Sequence, residues 1–336
     1  MKADPLASLK VVALAGGVGG AKLAEGLAQI LPAYNLAVIV NTGDDFDHLS
    51  LRICPDLDTV CYTLAGIANP ATGWGRSGET WNAMESLAIL GGPQWFRLGD
   101  LDLGTHLERT RRLQLGDRLS QITRDFCRAW GVQLTVLPMS DDAVATWVYT
   151  DAGMLPFQEY FVRQRCQPQV RGFRFDGVER ALPAPGVLDV LESADIVVIC
   201  PSNPWVSIEP ILSVPGIREA VAAKFTVAVS PIIAGRAVKG PAAKMCTEMG
   251  IEPSAVSVAQ HYSSLLDAFV MDQVDVAQFE ALNAQGMPTL ATNTLMTSAD
   301  DRRCLAKEVI EFGMHMLEKK PPKRHNRNIG FTQVKE

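Results

Sequence analysis

The sequence predicts an α/β fold in which a mainly parallel sheet lies between helices. Short apolar runs, apolar enough for strands buried on both faces, alternate with segments of helical periodicity. The predicted strands are residues 11–15, 36–40, 134–137, 196–200 and 226–229. The predicted helices are residues 58–66, 117–130, 215–224 and 298–318, together with one that follows the first strand. This alternation is typical of the Rossmann-like three-layer αβα architecture.

The first strand leads directly into a glycine-rich turn, GGVGGAK, after which leucines recur at helical spacing. A strand, a glycine turn and a helix N-terminus in that order form an anion site, because unpaired backbone N–H groups and the helix dipole attract negative charge. A tight turn without a ligand is the alternative. We predict nucleotide phosphate binding by the glycines and the adjacent lysine, which are Gly16, Gly17, Gly19, Gly20 and Lys22.

Neither of two common phosphate motifs is complete in this turn. Lys22 stands at the last glycine position of the dinucleotide motif G-x-G-x-x-G. Ala21 and Leu23 stand at the glycine and Ser/Thr positions of the Walker motif G-x-x-x-x-G-K-[ST]. The turn therefore indicates a phosphate without specifying a dehydrogenase or a P-loop enzyme.

Composition limits the class of protein. The 336 residues are 47% hydrophobic and 20% charged, which is typical of a soluble globular protein. A net charge of -6 argues against nucleic acid as a partner. The seven cysteines contain no C-x-x-C pair, so we expect free thiols in a reducing compartment. Because no apolar stretch approaches 18 residues, we expect a cytoplasmic protein without a membrane partner.

Polar or acidic loops follow four predicted strands, at residues 41–45, 139–142, 201–204 and 230–235. The carboxyl ends of parallel strands meet at one edge of a sheet, so these loops and the glycine turn share a rim. Mg²⁺ prefers a few carboxylates together with water and phosphate oxygens. We predict that Asp44, Asp45 and Asp56 bind Mg²⁺. An N-cap role is the alternative for either Asp56 or Asp58, which precede a predicted helix.

Residues 95–110 bring a cation and a histidine close to acids. Arg97 offers a planar fork to a phosphate or a ring carbonyl. His106 is placed at a helix start, either as an acid/base or as a structural residue. Residues 150–190, rich in aromatic and basic side chains, are interpreted as an inserted subdomain whose aromatics are core. Residues 319–336 form a basic tail that we expect to be flexible, and residues 1–318 form one domain.

These residues resemble the CofD family, called FbiA in actinobacteria, the 2-phospho-L-lactate transferases of coenzyme F420 biosynthesis. The resemblance runs in order from residue 14 to residue 297. Its segments are LAGGVGGAKLAEGL, NTGDDF, LRICPDLDTVCYTLAG, GWGRSGETWNAMESL, WFRLGDLDLGTHLERT, LPMSDD, FQEYFVR, PSNPWVSIEPILSVPGIREA, SPIIAGRAVKGPAAK and LMT.

The resemblance implies a transfer reaction. The terminal hydroxyl of the ribityl chain of the deazaflavin Fo attacks the outer phosphorus of a guanosine diphosphate that carries a three-carbon acid, and GMP leaves. The acid is lactate, enolpyruvate or glycerate. It also implies that Asp58 and Arg97 contact Fo, and that the cofactor is Mg²⁺. From its place in residues 95–110, His106 is predicted to contact Fo as well. Asp58 and Asp44 are the expected catalytic residues, and a homodimer is expected. Ser202 and Asn203 are predicted to contribute to nucleotide binding.

Two other classes remain open at this point. One is a non-catalytic, nucleotide-sugar-binding regulatory protein of a related branch, which shares the glycine turn and an acidic pair. The other is an NAD-dependent oxidoreductase. The incomplete dinucleotide motif argues against the oxidoreductase, and the segments PDLDTVCYTLAG and WFRLGDLDLGTH favour the transferase over the regulatory protein.

Overall fold

The computed structural model describes residues 5–319. Its strands fall into one central sheet and three small antiparallel pairs or triplets. In chain order they are β1 (Val11–Ala15), β2 (Leu36–Val40), β3 (Phe46–His48), β4 (Leu51–Ile53), β5 (Thr135–Pro138), β6 (Ala145–Thr150), β7 (Gly153–Pro156), β8 (Val170–Asp176), β9 (Ile196–Ile199), β10 (Phe225–Val229), β11 (Ile232–Ile233), β12 (Arg236–Ala237), β13 (Ala268–Asp272) and β14 (Thr289–Thr292).

The helices cover both faces of the central sheet. In chain order they are α1 (Gly17–Ile30), α2 (Pro55–Leu64), α3 (Asn82–Ile89), α4 (Asp100–Gln114), α5 (Leu119–Ala129), α6 (Val187–Ser193), α7 (Glu209–Ser213), α8 (Ile217–Ala222), α9 (Ala242–Glu248), α10 (Ala255–His261), α11 (Phe279–Ala284) and α12 (Ala299–Lys319). Across residues 5–319, none of the helices is both long enough and apolar enough to cross a membrane.

The central sheet has seven parallel strands in the order β14-β13-β10-β9-β1-β2-β5. The chain moves outward from β1 to β5 on one side, then crosses back and builds the other side from β9. The strand order therefore reverses between β1 and β9, and such a switch point leaves a crevice at the carboxyl ends of the strands. The predicted Rossmann-like three-layer fold is confirmed.

The hydrophobic core lies on both faces of this sheet, because its strands are buried throughout. In β1, Val12 and Leu14 pack into one cluster with α6, α8 and α10. Val11 and Ala13 alternate to the other face and pack with α1, α2 and α12. This period of two explains why the central strands read as continuous apolar runs instead of alternating patterns.

The five predicted strands are all present, with ends that shift by one residue. Two further strands of the central sheet, β13 and β14, were not predicted. Their segments AFVMD and TLAT are only five and four residues long. Periodicity in such short apolar runs does not distinguish a strand from a buried part of a helix. Helix α2 starts at Pro55 with Cys54 as its N-cap, so the N-cap interpretation of Asp56 and Asp58 is wrong.

A three-stranded antiparallel sheet, in the order β7-β6-β8, spans residues 145–176. It overlaps the region that we interpreted as an inserted subdomain, but starts earlier. Val148 and Val170 are fully buried in the same core cluster as the central sheet, so this small sheet packs directly on the main domain. Of the basic tail predicted at 319–336, residues 320–336 lie outside the described residues.

We predict that Gly26→Ala destabilises the protein by about 1–3 kcal/mol, because overpacking forces backbone shifts. A Cβ at Gly26 would lie 2.2 Å from the carbonyl oxygen of Arg302, where α1 crosses α12. Gly104→Ala is the matched control, since a Cβ there meets no atom within 4 Å and alanine favours a helix. Urea unfolding measures both. Equal stability of the two variants would contradict close packing of α1 on α12.

Candidate active site

A cavity of about 670 Å³ opens at the carboxyl ends of the central strands, beside the switch point between β1 and β9. Loops that follow β1, β2, β9, β10 and β14 all contribute to its lining, as do α2 and α4. The predicted site residues that line it are Gly16, Gly17, Gly19, Lys22, Asp44, Asp56, Asp58, Arg97, His106, Ser202 and Asn203. The fold thus brings together residues that are up to 187 positions apart in the chain.

The glycines after β1 permit close packing around the turn. A Cβ at Gly16 would lie 2.5 Å from Oδ2 of Asp56 and 2.7 Å from Cβ of Ser207. A Cβ at Gly19 would lie 2.2 Å from the carbonyl oxygen of Pro201. Helix α1 already begins at Gly17, so most of the predicted turn is the first helical turn. The Gly17 N–H hydrogen bonds to the Asp56 carboxylate, so the N–H groups of the next residues in this turn are the ones left for an anion.

Ser202, in the loop after β9, hydrogen bonds to the glycine turn. Its Oγ accepts a hydrogen bond from the Gly16 N–H (3.1 Å) and donates one to the Gly16 carbonyl (2.8 Å). Asn203 caps the next helical turn by accepting from the Trp205 N–H at 3.0 Å. Gly20, which was predicted to bind nucleotide, packs against Ser202 Oγ instead. These side chains shape the rim through contacts within the protein.

Lys22 places a cation at the cavity wall. Its Nζ donates a hydrogen bond of 2.6 Å to the carbonyl oxygen of Met296. Burial lowers the pKa of Lys22, and the nearby charges of Arg302 and Lys239 lower it further. A bound anion would stabilise the protonated amine in these surroundings.

Asp44 and Asp56 form a pair of buried carboxyl groups on the cavity wall. Burial raises the pKa of Asp44 well above its usual range, and the negative charge of Asp56 raises it further. Oδ1 of Asp44 is buried and has no hydrogen-bond partner. Burial also raises the pKa of Asp56 to about 6, although Asn41 donates to its Oδ2 at 2.9 Å.

The carboxyl groups of Asp44 and Asp56 suit a magnesium ion only if substrate and water supply its remaining ligands. Within residues 5–319, no group of three or more His, Cys, Asp or Glu side chains is arranged to hold a metal. Two carboxylates, one with an unpartnered oxygen, nevertheless fit Mg²⁺, because this ion takes most of its shell from water and phosphate oxygens. The observed pair is therefore compatible with the predicted ion.

Asp45, the third predicted metal ligand, faces away from this pair. The groups that act on it are the Cys54 thiol, with which it hydrogen bonds, and the charges of Arg109 and Arg52. Burial raises the pKa of Asp45 to about 8. Asp44 lies in a turn in which the Asp45 N–H donates to the Thr42 carbonyl at 3.2 Å, and β3 begins directly after Asp45. Oδ1 of Asp45, like Oδ1 of Asp44, is buried without a hydrogen-bond partner.

A buried network forms the opposite end of the cavity. Asp58 accepts hydrogen bonds on both carboxylate oxygens from Arg109, which is 2% exposed. His106 lies between Arg109 and Asp102, with Nε2 3.4 Å from Asp102 Oδ2. Tyr62 donates to the other Asp102 oxygen at 2.6 Å. His106 lies in the second turn of α4 instead of at its start.

Further aromatic side chains line the cavity or lie beside it. The Arg97 guanidinium stacks on the Trp81 ring, 4.2 Å from the ring centre. Phe157 and Phe161 stack with ring centres 5.5 Å apart, and both line the cavity. Their interpretation as core residues is therefore incomplete: Phe157 is buried, but Phe161 is exposed at the cavity. Tyr160, from the same segment, is fully buried core.

Three residues of this buried network were not predicted as site residues from the sequence: Arg109, Asp102 and Tyr62. A signal was available for two of them. Asp102, His106 and Arg109 are spaced i, i+4 and i+7, so they share one face of a helix. A polar stripe of this kind on a helix that packs against the core requires buried partners. Tyr62 has no comparable signal.

A second cavity, of about 760 Å³, lies at the β5 edge of the sheet. Its lining comes from α5, β5 and their connection, with the exposed arginines Arg118, Arg124 and Arg128 beside aliphatic side chains. It is remote from the switch point, where the glycine turn and the buried carboxyl groups converge. We therefore place the chemistry in the first cavity.

The chain is similar to known proteins over most of its length. A model of the family described as 2-phospho-L-lactate transferase CofD matches residues 11–310. A phosphoenolpyruvate transferase from Streptomyces griseus is 44% identical over 311 residues, covering 90% of this chain and 98% of that protein. One from Thermobifida fusca is 42% identical over 325 residues, covering 93% of this chain and 100% of that protein.

The sheet and these matches together define a transferase with a Rossmann-like fold. The chain belongs to the CofD family. Crystal structures also support the fold. A member of the UPF0052 family from Bacillus halodurans superposes with a TM-score of 0.61 at 17% identity, covering 90% of this chain and 99% of that chain.

We predict that the free energy of unfolding falls as pH rises from about 4 to about 8 in metal-free buffer. Burial raises the pKa of Asp56 to about 6 and of Asp45 to about 8, so the folded protein binds more protons than the unfolded chain in this range. Asp45→Asn should flatten the decline above pH 6, whereas Asp47→Asn, at an exposed site, controls for net charge. Urea unfolding at stepped pH measures this. A wild-type slope in Asp45→Asn contradicts it.

Proposed function

We propose that this protein transfers a phospho-three-carbon-acid group from a guanosine diphosphate donor to the ribityl hydroxyl of Fo and releases GMP, in coenzyme F420 biosynthesis. Of the three candidate acids, enolpyruvate is favoured by the names of the relatives. The observation that supports the proposal is one continuous cavity with two different ends. One end has the glycine turn and Lys22, and the other has Asp58 among aromatic side chains.

The first end suits a diphosphate. Val18 and Gly19, in the first turn of α1, line the cavity with N–H groups that have no partner within the helix, and the helix dipole adds positive potential. Lys22 adds a full charge on the same wall. These groups offset part of the charge that develops on the leaving phosphate, which is the main demand of phosphoryl transfer.

Asp44 and Asp56 would hold Mg²⁺ beside this diphosphate. When bound, the ion neutralises phosphate charge and polarises the phosphorus centre. In its absence Asp44 keeps a proton, because burial and the negative charge of Asp56 raise its pKa well above the usual range, whereas burial raises the pKa of Asp56 to about 6. Asp44 supplies the unpartnered oxygen, and Asn41 holds Asp56 in place.

The second end suits a flat heteroaromatic alcohol. Tyr62, in the same helix as Asp58, and Phe96, next to Arg97, line the cavity and offer faces and edges for ring contacts. Arg97, held on Trp81, offers donors to ring carbonyl oxygens. Asp58 faces the cavity and offers carboxylate lone pairs to the hydroxyl hydrogen.

The reaction then needs only alignment of the two substrates. The ribityl oxygen forms a bond to the outer phosphorus, and the bond from that phosphorus to the bridging oxygen breaks. GMP leaves with the bridging oxygen, and the hydroxyl proton passes to Asp58 or to water. Asp58, already ion-paired with Arg109, contributes mainly by orienting the hydroxyl.

The whole proposal is tested by incubating the purified protein with Fo, Mg²⁺ and each guanosine diphosphate donor in turn, followed by mass spectrometry. We expect GMP and a phosphodiester of Fo, with the enolpyruvyl donor giving the highest rate. A fluorescence titration should also show Fo binding. If no donor gives a product and Fo does not bind, the proposed function is wrong.

We predict that Asp58→Asn lowers kcat/KM for Fo by about 100-fold, because the variant loses the charge that orients the hydroxyl. The KM of the donor should change little, since the glycine turn is intact. Steady-state kinetics with each substrate varied separates the two effects. Asp47→Asn, an exposed carboxylate outside the cavity, is the control. Turnover and Fo affinity equal to wild type would remove Asp58 from the mechanism.

We predict that Asp44→Asn raises the Mg²⁺ concentration for half-maximal activity by about 10-fold or more, because a ligand is lost. Asp45→Asn is the matched comparison. It is the adjacent carboxyl group, but it faces the Cys54 side and should shift the requirement much less. Activity as a function of Mg²⁺ measures both variants. Equal shifts would contradict the assignment of Asp44 and Asp45 to different sides.

A further inference from the structure

Arg109 is in direct contact with both Asp58 and His106, which lie next to each other with His106 Nδ1 3.7 Å from Asp58 Oδ2. It extends from α4 towards the first turn of α2 and donates to both oxygens of Asp58, with Nη1 3.0 Å from Oδ2. The same Nη1 lies 3.2 Å from Nδ1 of His106 and 3.3 Å from the Arg52 carbonyl oxygen. All of these groups are enclosed, since Arg109 and His106 are 2% and 1% exposed.

These contacts determine the proton position on His106. A guanidinium group only donates hydrogen bonds, so a proton on Nδ1 of His106 would face the hydrogens of Nη1, and the contact favours an unprotonated Nδ1. Nη1 has two hydrogens for three acceptors, so Nδ1 shares one of them with the Arg52 carbonyl oxygen. The proton of the neutral ring then lies on Nε2. That nitrogen faces Asp102 Oδ2 at 3.4 Å, and the other Asp102 oxygen accepts from Tyr62. Nε2 forms no hydrogen bond in the structure, so Asp102 acts on it as a nearby negative charge.

Asp58, His106, Asp102 and Tyr62 line the cavity, and Arg109 stands behind them. Arg109 therefore acts through residues that reach the ligand. Its double contact fixes the carboxylate plane of Asp58, so the remaining lone pairs are directed to one side. Removal of such a partner leaves a buried, unpaired carboxylate.

We propose that Arg109 is a positioning residue for the acceptor half of the reaction, which fixes the orientation of Asp58 and restricts His106 to the tautomer protonated at Nε2. This inference rests on the proposed function for its effect on catalysis. Its effect on His106 is independent of that function. The donor end of the cavity is held by other residues, so the two substrates should respond differently to loss of Arg109.

The kinetic test compares Arg109→Lys, which keeps the charge but loses the planar fork, with Arg111→Lys on the same helix. Arg111 forms an exposed ion pair with Glu108 and controls for the loss of an arginine from α4. Arg109→Lys should lower kcat/KM for the acceptor alcohol about 100-fold, a cost typical of misplaced reacting groups. The dissociation constant for GDP should stay within about two-fold, as for distant, uncoupled sites. Kinetics for Arg109→Lys like those for Arg111→Lys, or equal losses for both substrates, would overturn the proposal.

Nitrogen NMR of the His106 ring tests the second part in the wild-type protein, so it does not depend on a folded variant or on activity. The His106→Asn spectrum assigns the signals. We expect a protonated Nε2 and an unprotonated Nδ1. In Arg109→Met, which removes the donors, a mixture of tautomers is expected. A proton on Nδ1, or a charged ring, in the wild type overturns the inference. If the wild type transfers no group, the proposed function fails, while this measurement still decides the role of Arg109.

Discussion

The burial of negative charge at the carboxyl end of the sheet constrains the rest of this structure. Asp44, Asp56 and Asp58 are each less than 8% exposed, in a chain with net charge -6. A buried carboxylate is stable only with hydrogen-bond donors, a cation or a proton. Three different solutions are found: Asp58 is paired with Arg109, Asp56 accepts from Asn41, and Asp44 keeps an oxygen without a partner.

Asp56 and Asp58, which are two residues apart in α2, line different parts of the cavity. Residues i and i+2 of a helix point to nearly opposite sides, so one turn of α2 serves both. Asp56 lies against the glycine turn, where even a Cβ at Gly16 would collide with it. Asp58 lies against α4 and its buried arginine.

Local sequence signals predicted the elements that depend on local physics. The strand before Gly16 and the strand that precedes Asp44 are continuous apolar runs, and the observed bounds agree with the predicted ones. Strands β13 and β14 were missed, because short segments at one side of a sheet acquire their strand conformation from pairing with neighbours. Helix α2 was predicted three residues too late, since Pro55 at its first turn was not weighed as a start signal.

For the site, the residue types and their order along the chain determined the glycine turn, the acidic loops and their convergence at the carboxyl ends of parallel strands. They also carried the resemblance to the family that the comparisons confirm. Only the tertiary structure decided which atoms face one another. It turned Asp45 away from Asp44, used Ser202 to hold Gly16, and buried Arg109 behind Asp58. Side-chain direction and desolvation depend on contacts between segments far apart in the chain, and no local pattern encodes them.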